Sequence, residues 1–275
     1  MRTLGRAVWM QVMVALTHRR WFLVPLLAVA LVALGLADIG TGKWGLSPAN
    51  QWDILLWVFN QPFLVVFLFP AVFSALVADF VSFEWESGWL FFTGGRISSR
   101  ALWWWSKVGA VALLAVFFTG VMFFCVGIAG ALATSWEWTW SQLVHLSGWD
   151  YPGGLAANSL SMPPPLVMVK IFLLLSTGLA ALGTVVLAVS LFVRRAFAGW
   201  VIGALISLFS YAAWKLVYHP LFFLFPALHF LLAAHREFNA SMPAIFTVHA
   251  SLLGEIALFL VAAIAGHIIV LKRDL

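Results

Sequence analysis

Long apolar runs separated by short polar segments dominate this sequence. A helix of about 20 apolar residues is long enough to cross a bilayer. The pattern predicts spans at about 21–37, 54–78, 108–134, 166–193, 196–217 and 249–271. Six spans joined by short loops leave no room for a separate soluble domain. We therefore expect residues 1–275 to form one all-α integral membrane protein domain.

The first twenty residues follow a different pattern, in which arginines accompany apolar residues at helical spacing. The apolar positions are Leu4, Val8, Trp9, Val12 and Leu16. Such a basic amphipathic helix is typical of a segment that lies on the membrane surface. A signal peptide is the alternative, but the apolar run from Trp21 is long and no Ala-x-Ala cleavage site follows it. Residues 1–20 are predicted to form an interfacial helix.

The apolar stretch 220–235 is only 16 residues long and contains Pro220 and Pro226. So short a run favours a re-entrant segment over a span. With six spans and both termini in the cytoplasm, 11 of the 15 basic residues face the cytoplasm, namely Arg2, Arg6, Arg19, Arg20, Arg96, Arg100, Lys107, Arg194, Arg195, Lys272 and Arg273. A seventh span would move Lys272 and Arg273 outside, against the positive-inside rule. We expect 220–248 to form an outer re-entrant hairpin in a plasma-membrane protein.

Composition supports the membrane assignment and narrows the chemistry. The chain is 64% hydrophobic and 9% charged, with a mean hydropathy of +1.03, whereas a soluble domain carries roughly 25% charged residues. The net charge of +5 is explained by basic residues at the cytoplasmic face, so we expect no nucleic-acid partner. A lone cysteine, Cys125, provides no disulfide framework.

Two motifs suggest chemistry and are rejected. The sequence GTGK at 40–43 resembles a phosphate-binding loop, but Ala37 replaces the first glycine and Trp44 replaces the Ser or Thr. The chain therefore carries no visible ATPase. His229 and His235 are six residues apart, a spacing that does not share a helix face. We expect no metal site.

Polar and small residues inside the spans mark candidate functional positions. Asn60 and Gln61, followed by Pro62, predict a polar kink in the second span. Glu255 lies within the last span, where an ionisable group is costly and often functional. These three polar residues are a candidate cargo path, although Glu255 could equally bond to a neighbouring helix. Gly199, Gly203 and Ser207 recur every four residues and predict a close packing face within or between subunits.

The segment 79–107 is the one long stretch that mixes charged with apolar residues. Its charged and glycine positions include Glu84, Glu86, Gly88, Arg96, Arg100 and Lys107. A solvated loop is one interpretation. The other is a surface helix and turn that contact another protein, since acidic residues are unusual beside anionic lipid.

The arrangement of this segment resembles the ABC-2 type permease family, the membrane subunits of ATP-binding-cassette exporters. The matching positions are Glu86 and Gly88, then Ser99 and Arg100, then Lys107. The ending KRDL at 272–275 also resembles the family, as do the six spans, the amphipathic start and the re-entrant hairpin. Gly95 and Arg96 depart from the proline that many members carry before Ser-Arg.

The resemblance implies that 79–107 holds a coupling helix that docks on an ATPase subunit. Two ATPases, carrying ATP and Mg²⁺, would work with this permease and a second one, identical or homologous. The chain itself would bind no cofactor and catalyse no reaction. The first and fifth spans would lie near the permease dimer seam. The cargo would be an amphiphile, such as a peptide, a drug-like molecule or a lipid.

Two other functions remain open from the residues. A non-transporting membrane scaffold or immunity protein would need no ATPase-docking loop. An intramembrane hydrolase or transferase using Glu255 and histidines would need acidic and histidine residues paired at helical spacing, which the sequence does not display.

Overall fold

The described residues form an all-helical bundle. A computed structural model describes residues 2–40, 49–80, 99–141, 162–216, 219–239 and 241–272. In this part of the chain we number eight α-helices in order: α1 (Arg2–Leu16), α2 (Leu23–Gly40), α3 (Gln51–Asn60), α4 (Phe69–Val77), α5 (Arg100–Ala133), α6 (Pro164–Val193), α7 (Ala196–Leu216) and α8 (Val248–Lys272).

Five helical segments are long and apolar enough to cross a membrane. They are Arg19–Ile39, Arg100–Ala133, Pro164–Val193, Ala196–Leu216 and Val248–Lys272. A sixth candidate is the bent pair Gln51–Asn60 and Phe63–Val77, whose axes differ by 55°. The chain is therefore a polytopic helical membrane protein, and the predicted positions of the apolar spans correspond to these segments.

The third predicted span begins earlier than expected. We predicted its start at 108, but α5 begins at Arg100. Ser99 caps the helix, because its side chain accepts a hydrogen bond from the backbone N–H of Leu102 at 3.1 Å. Arg100 and Lys107 therefore lie on a helix that continues into the bundle, and the apolar run alone did not reveal the polar first turns.

The bend between α3 and α4 falls at Asn60, Gln61 and Pro62. Gln61 has extended backbone dihedrals (φ −75°, ψ 117°), which end α3. Pro62 has no backbone N–H to continue the helical ladder. A π-helical turn, Phe63–Leu68, then leads into α4. The polar kink expected from the sequence is present as a break between two helices.

Helix α6 forms the centre of the bundle. Of the residues in its most apolar 18-residue stretch, 78% are buried, compared with 28–39% in the other long candidate spans. It packs against α5, α7 and α8. The outer helices therefore keep wide apolar faces exposed, as expected of helices that meet lipid or another subunit.

The N-terminal helix packs on the bundle with one face. Val12 and Ala15 of α1 are buried, and a Cβ added to Gly109 of α5 would lie 2.9 Å from Val8 Cγ2. Leu4 and Trp9, which the sequence pattern placed on the same apolar stripe, are exposed at 37% and 61%. Helix α1 thus packs one part of its apolar surface against the bundle and leaves the other part exposed.

The segment between α7 and α8, residues 219–247, is called the connector below. It contains three short 3₁₀-helices, His219–Leu224, Pro226–Phe230 and Leu232–Ala234. Much of it is buried, including Leu228, Leu231 and Ala234 at 0% exposure. A Cβ on Gly178, at the middle of α6, would overlap the ring of Phe230. The connector therefore reaches as deep as the middle of the central helix.

The small-residue face of α7 packs inside this chain. A Cβ on Gly203 would lie 2.6 Å from Ser74 Cβ of α4 and 2.9 Å from Val186 Cγ2 of α6. A Cβ on Gly199 would lie 2.7 Å from the carbonyl oxygen of Val186. Ser207 is also buried and donates to the Gly203 carbonyl at 2.7 Å. These residues let α7 approach α4 and α6 closely.

Gly203→Ala should destabilise the folded protein by roughly 1–3 kcal/mol, because the added methyl group overpacks a closed contact. Gly120→Ala is the matched control, since a Cβ there meets no heavy atom within 4 Å. The control should be neutral or slightly stabilising, because alanine favours a helix over glycine by about 0.5–1 kcal/mol. Thermal unfolding of the purified variants in detergent measures both effects. Equal midpoints would contradict the close packing of α7.

Candidate functional site

Four sets of buried polar groups stand out among the described residues of this apolar bundle. Each of them has a cost that hydrogen bonds must offset. The first joins α1, α4 and α5. The second lies at the start of α3, the third at the α3–α4 break, and the fourth in a cavity beside α6 and α8.

Lys107 forms the first polar site. Its side chain is 1% exposed. Nζ donates to Gln11 Oε1 of α1 at 2.8 Å and to the carbonyl oxygen of Phe80 at 2.8 Å. Nζ also lies 4.2 Å from the centroid of the Phe80 ring, a favourable cation–π distance. The ammonium therefore ties α1 to α5 and to the end of the segment that follows α4.

An ion pair lies near this site. Arg20 Nη1 is 2.6 Å from Asp79 Oδ2, and the two side chains are 59% and 29% exposed. An exposed pair of this kind contributes only about 0–1 kcal/mol. Together with Lys107 it forms what we call the junction, defined by Gln11, Arg20, Asp79, Phe80 and Lys107.

The junction stands where segment 81–98 leaves and rejoins the described structure. Arg100 is exposed at the start of α5, and Lys107 is buried two turns further on. The predicted coupling residues Glu84, Glu86, Gly88 and Arg96 lie outside the described residues, and so does the predicted coupling helix. The structure therefore places two of the six predicted coupling residues, and it assigns Lys107 to helix packing.

A polar cap at the start of α3 was missed by the sequence reasoning. Asn50 accepts from the backbone N–H of Trp52 at 3.0 Å, and Asp53 Oδ2 accepts from the backbone N–H of Asn50 at 2.7 Å. Ser141 donates to Asp53 Oδ1 at 2.9 Å. Asn50 followed by Asp53 is a capping signal visible in the sequence. The cap fixes the start of α3 to the segment after α5.

The α3–α4 break holds the connector. Asn60 is 1% exposed, and its Oδ1 accepts from the backbone N–H of Ala233 at 3.0 Å. This bond satisfies a donor in an irregular segment surrounded by apolar side chains. Gln61 is half-buried at the break itself. Asn60 thus positions the connector, and neither amide lines the cavity described next.

Glu255 of α8 belongs to a cavity of about 390 Å³ between α6, α8 and the connector. The carboxyl group is 4% exposed. Its Oε2 contacts the hydroxyl of Thr177 on α6. Its Oε1 is buried and has no hydrogen-bond partner among the described residues. Of the three residues proposed for a cargo path, Glu255 alone lines this cavity.

The connector brings two histidines to Ser251, and of the two His229 lines the cavity. His229 Nδ1 is 2.9 Å and His235 Nε2 is 2.8 Å from the hydroxyl oxygen of Ser251. The expectation that a six-residue spacing separates the rings assumed an α-helix. Short 3₁₀ turns fold the connector back, so both imidazoles reach Ser251, which lies one turn before Glu255 on α8.

The surroundings of the two imidazoles set their protonation. Burial lowers the pKa of His235 to about 4, and burial also lowers the pKa of His229. Both rings are therefore neutral at pH 7. His229 Nε2 lies 3.1 Å from the Phe223 carbonyl oxygen, and His235 Nδ1 lies 3.2 Å from the Leu232 carbonyl oxygen. Each ring donates to its carbonyl and turns its unprotonated nitrogen towards Ser251.

The sequence reasoning missed Ser251, which lines the cavity, and Thr177, which contacts Glu255. The spacing of Ser251 and Glu255 by four residues was visible in the sequence and is the usual sign of a shared helix face. Thr177 gave no signal, because its role depends on how α6 packs against α8. No group of three or more His, Cys, Asp or Glu side chains in the described residues is placed to hold a metal ion.

No protein-family model matches this chain, and a search of curated proteins finds no match. The class of protein is defined by its helices, as a polytopic helical membrane protein, and its described residues line a largely apolar cavity with a few polar groups.

Lys107→Met should weaken the attachment of α1 to the bundle. Methionine fits the space but leaves Gln11 Oε1 and the Phe80 carbonyl oxygen without their donor, a loss of roughly 1–3 kcal/mol for each buried group left unpaired. Lys272→Met, on the exposed last turn of α8, is the matched control. Thermal unfolding and the rate of proteolysis within α1 should change for the first variant alone. Identical behaviour of the two variants would show that Lys107 does not hold α1.

Proposed function

We propose that this chain is the membrane permease subunit of an ABC exporter of the ABC-2 type. The observation that carries the proposal is the junction. Segment 81–98, which contains Glu84, Glu86 and Gly88, leaves the described structure at Phe80 and rejoins it at Ser99. Lys107 ties Phe80 to α1 and α5 by two hydrogen bonds of 2.8 Å.

The junction supports a coupling role because it connects this segment to several helices at once. If a partner displaces 81–98, the displacement is transmitted along the chain to Phe80, which follows α4. It is also transmitted to α5 through Ser99 and Lys107, and to α1 through Gln11. A buried ammonium held by oxygen atoms and an aromatic ring resists separation of these parts, since loss of any partner leaves a buried charge less well paired.

The proposed layout has six spans, with the bent pair α3–α4 crossing as one. Helix α1 lies at the cytoplasmic interface, both termini are cytoplasmic, and the membrane is the plasma membrane. The positions of 11 of the 15 basic residues support this orientation. The connector enters from the outer side as a re-entrant segment. Its burial against Gly178, at the middle of α6, supports that reading.

The energy for transport comes from a separate ATPase in this proposal. The sequence GTGK at 40–43 lacks the residues that hold phosphate and magnesium. Two ATPase subunits would carry ATP and Mg²⁺, and 81–98 with Arg100 would form the docking surface. The cargo is an amphiphile, such as a peptide, a drug-like molecule or a lipid.

A second permease completes the assembly and meets the outer faces of α2 and α7. Phe22, which directly precedes α2, is 75% exposed, and Leu26 and Val29 of α2 are 65% and 55% exposed. Phe197 and Phe209 of α7 are 67% and 61% exposed. Gly199, Gly203 and Ser207 pack within the chain, so the dimer contact uses the opposite face of α7. The partner is a second copy of this chain or a homologous permease.

The double variant Glu86→Lys, Gly88→Pro should abolish association with the ATPase while the chain still inserts in the membrane. Charge reversal and a proline both disrupt a short docking helix. Affinity purification after mild cross-linking, with mass spectrometry for subunits that carry ATP-binding-cassette sequence motifs, measures the association. We expect the wild-type chain to retain an ATPase and the variant to lose it.

Asp150→Lys is the matched control for this experiment, since it reverses an acidic charge in the loop predicted on the opposite side. It should leave the ATPase bound. If the wild-type chain retains no ATPase, the exporter proposal fails and a non-transporting scaffold or immunity protein becomes the better description. If the double variant still binds the ATPase, docking does not occur at Glu86.

One observation favours a second candidate function, an intramembrane hydrolase or transferase. Ser251 contacts both His229 and His235, and Glu255 lies one turn away on the same helix. A serine beside a histidine base is the usual arrangement of a nucleophile. Against this, Ser251 is 0% exposed, and attack on a substrate requires an accessible oxygen.

Labelling with a lipophilic fluorophosphonate separates the two functions. The exporter proposal predicts that the wild-type chain is labelled no more than Ser251→Ala, because Ser251 acts as a hydrogen-bonding residue of the cavity wall. Stoichiometric labelling of the wild type that disappears in Ser251→Ala would establish a reactive serine and favour the enzyme.

A further inference from the structure

The cavity between α6, α8 and the connector has the size and lining of a small-molecule site. Its volume is about 390 Å³, within the range of roughly 300–1,000 Å³ that such sites occupy. Phe223, Phe230 and Phe246 supply large apolar surfaces, while His229, Ser251 and Glu255 supply polar groups. An apolar cavity with polar groups on one wall suits an amphiphile.

The cavity is reached from the side of the bundle. Phe223 and Ile245 belong to its lining and are 53% and 73% exposed. These two side chains therefore border an opening from the cavity to the surface of the bundle, where an apolar molecule can enter.

The group formed by Ser251, His229 and His235 has too few hydrogen-bond donors. The unprotonated nitrogens of His229 and His235 both face the Ser251 hydroxyl oxygen, at 2.9 and 2.8 Å. A hydroxyl group has one proton, so it donates to one of the two nitrogens. The other nitrogen then faces an oxygen lone pair. One further donor is needed to satisfy this group of three side chains.

The Glu255 carboxyl group also has too few hydrogen-bond donors. The Thr177 hydroxyl lies 2.6 Å from the carbonyl oxygen of Leu173 and also contacts Glu255 Oε2. Its single proton serves one of these acceptors. Glu255 Oε1 has no partner at all among the described residues. Every oxygen of this carboxyl group therefore competes for a donor or lacks one.

No basic side chain in the described part of the chain pairs with Glu255. Its one polar contact there is Thr177. An ionised carboxylate inside an apolar bundle requires a cationic partner or a proton. The contrast with Lys107, whose ammonium has two oxygen partners and an aromatic ring, shows that the fold satisfies a buried charge fully elsewhere.

We propose that this cavity binds an amphiphilic primary amine, whose ammonium group supplies the missing donor to Glu255 while its apolar part packs against Phe223, Phe230 and Phe246. An ammonium carries three N–H donors and one positive charge. It thus provides a donor for the unpartnered Glu255 Oε1 and a charge opposite to that of a carboxylate. The aromatic rings add favourable contacts with a cation.

Other occupants match the wall less well. An anionic amphiphile would bring further acceptors to a wall that already has too few donors. A neutral alcohol provides one donor and no charge. A proton on Glu255 would satisfy the carboxyl group but would leave the apolar cavity unfilled. This last alternative predicts no preference for an amine over an alcohol of equal length.

The test measures equilibrium binding of radiolabelled dodecylamine and dodecanol at pH 7 to the purified full chain in nanodiscs, with binding to empty nanodiscs subtracted. We expect saturable binding of the amine, at least tenfold tighter than that of the alcohol. Equal affinities for the two ligands, or no saturable binding of the amine, would overturn the proposal. Whether the amine is then exported rests on the proposed function, but its binding to the chain alone does not require an ATPase.

Three variants locate the site. Glu255→Gln should reduce amine affinity at least tenfold and leave dodecanol binding unchanged, whereas Glu137→Gln, which removes an acidic group that does not line the cavity, should preserve the preference for the amine. Gly254→Leu should weaken both ligands, because Gly254 lines the cavity and a Cβ there meets no heavy atom within 4 Å, so the larger side chain can be accommodated at the cost of cavity space. This variant also tests the site if Glu255→Gln fails to fold. Undiminished preference for the amine in Glu255→Gln, or undiminished binding in Gly254→Leu, would contradict the assignment.

Discussion

The burial of the connector is the constraint on which the rest of the structure depends. Its backbone is not α-helical, yet Leu228, Leu231 and Ala234 have no exposed surface. Non-helical backbone at membrane depth is tolerated only where protein groups satisfy its N–H and C=O groups. Asn60 accepts from the Ala233 N–H at 3.0 Å, and Ser210 accepts from the Ala227 N–H at 3.3 Å. The polar residues in the surrounding spans are therefore required by the fold.

This constraint explains why α7 and the α3–α4 pair have unusual sequences. Helix α7 must approach α4 and α6 closely, and Gly203 makes that approach possible, since a Cβ there would lie 2.6 Å from Ser74 Cβ. The break at Pro62 presents Asn60 to the connector, which a straight helix would not do. Small residues and a helix break, both costly in an isolated helix, thus allow the bundle to close around an irregular segment.

The sequence predicted the helical class and the positions of the apolar spans, because these follow from runs of apolar residues of sufficient length. It also located the break at Asn60, Gln61 and Pro62, where proline chemistry is local. It did not predict that α5 starts at Arg100, nor that His229 and His235 meet at Ser251. Both outcomes depend on tertiary contacts, and the second arises because 3₁₀ turns in the connector replace the α-helical spacing that the sequence argument assumed. The role of Lys107 was also hidden, since its partners Gln11 and Phe80 are distant along the chain.

Lys107 and Glu255 are both buried in the described part of the bundle, and they differ in how far the fold satisfies them. Lys107 has acceptors at 2.8 Å on both sides, and any ligand that bound there would have to displace them. Glu255 lines a cavity and has a buried oxygen with no partner among the described residues. The chain provides hydrogen-bond partners for the ammonium of Lys107. A serine or a lysine on the facing helix would likewise provide a partner for Glu255. Because the described residues instead leave Glu255 Oε1 unpartnered beside a cavity, a donor from outside the chain is the completion that we propose for this site.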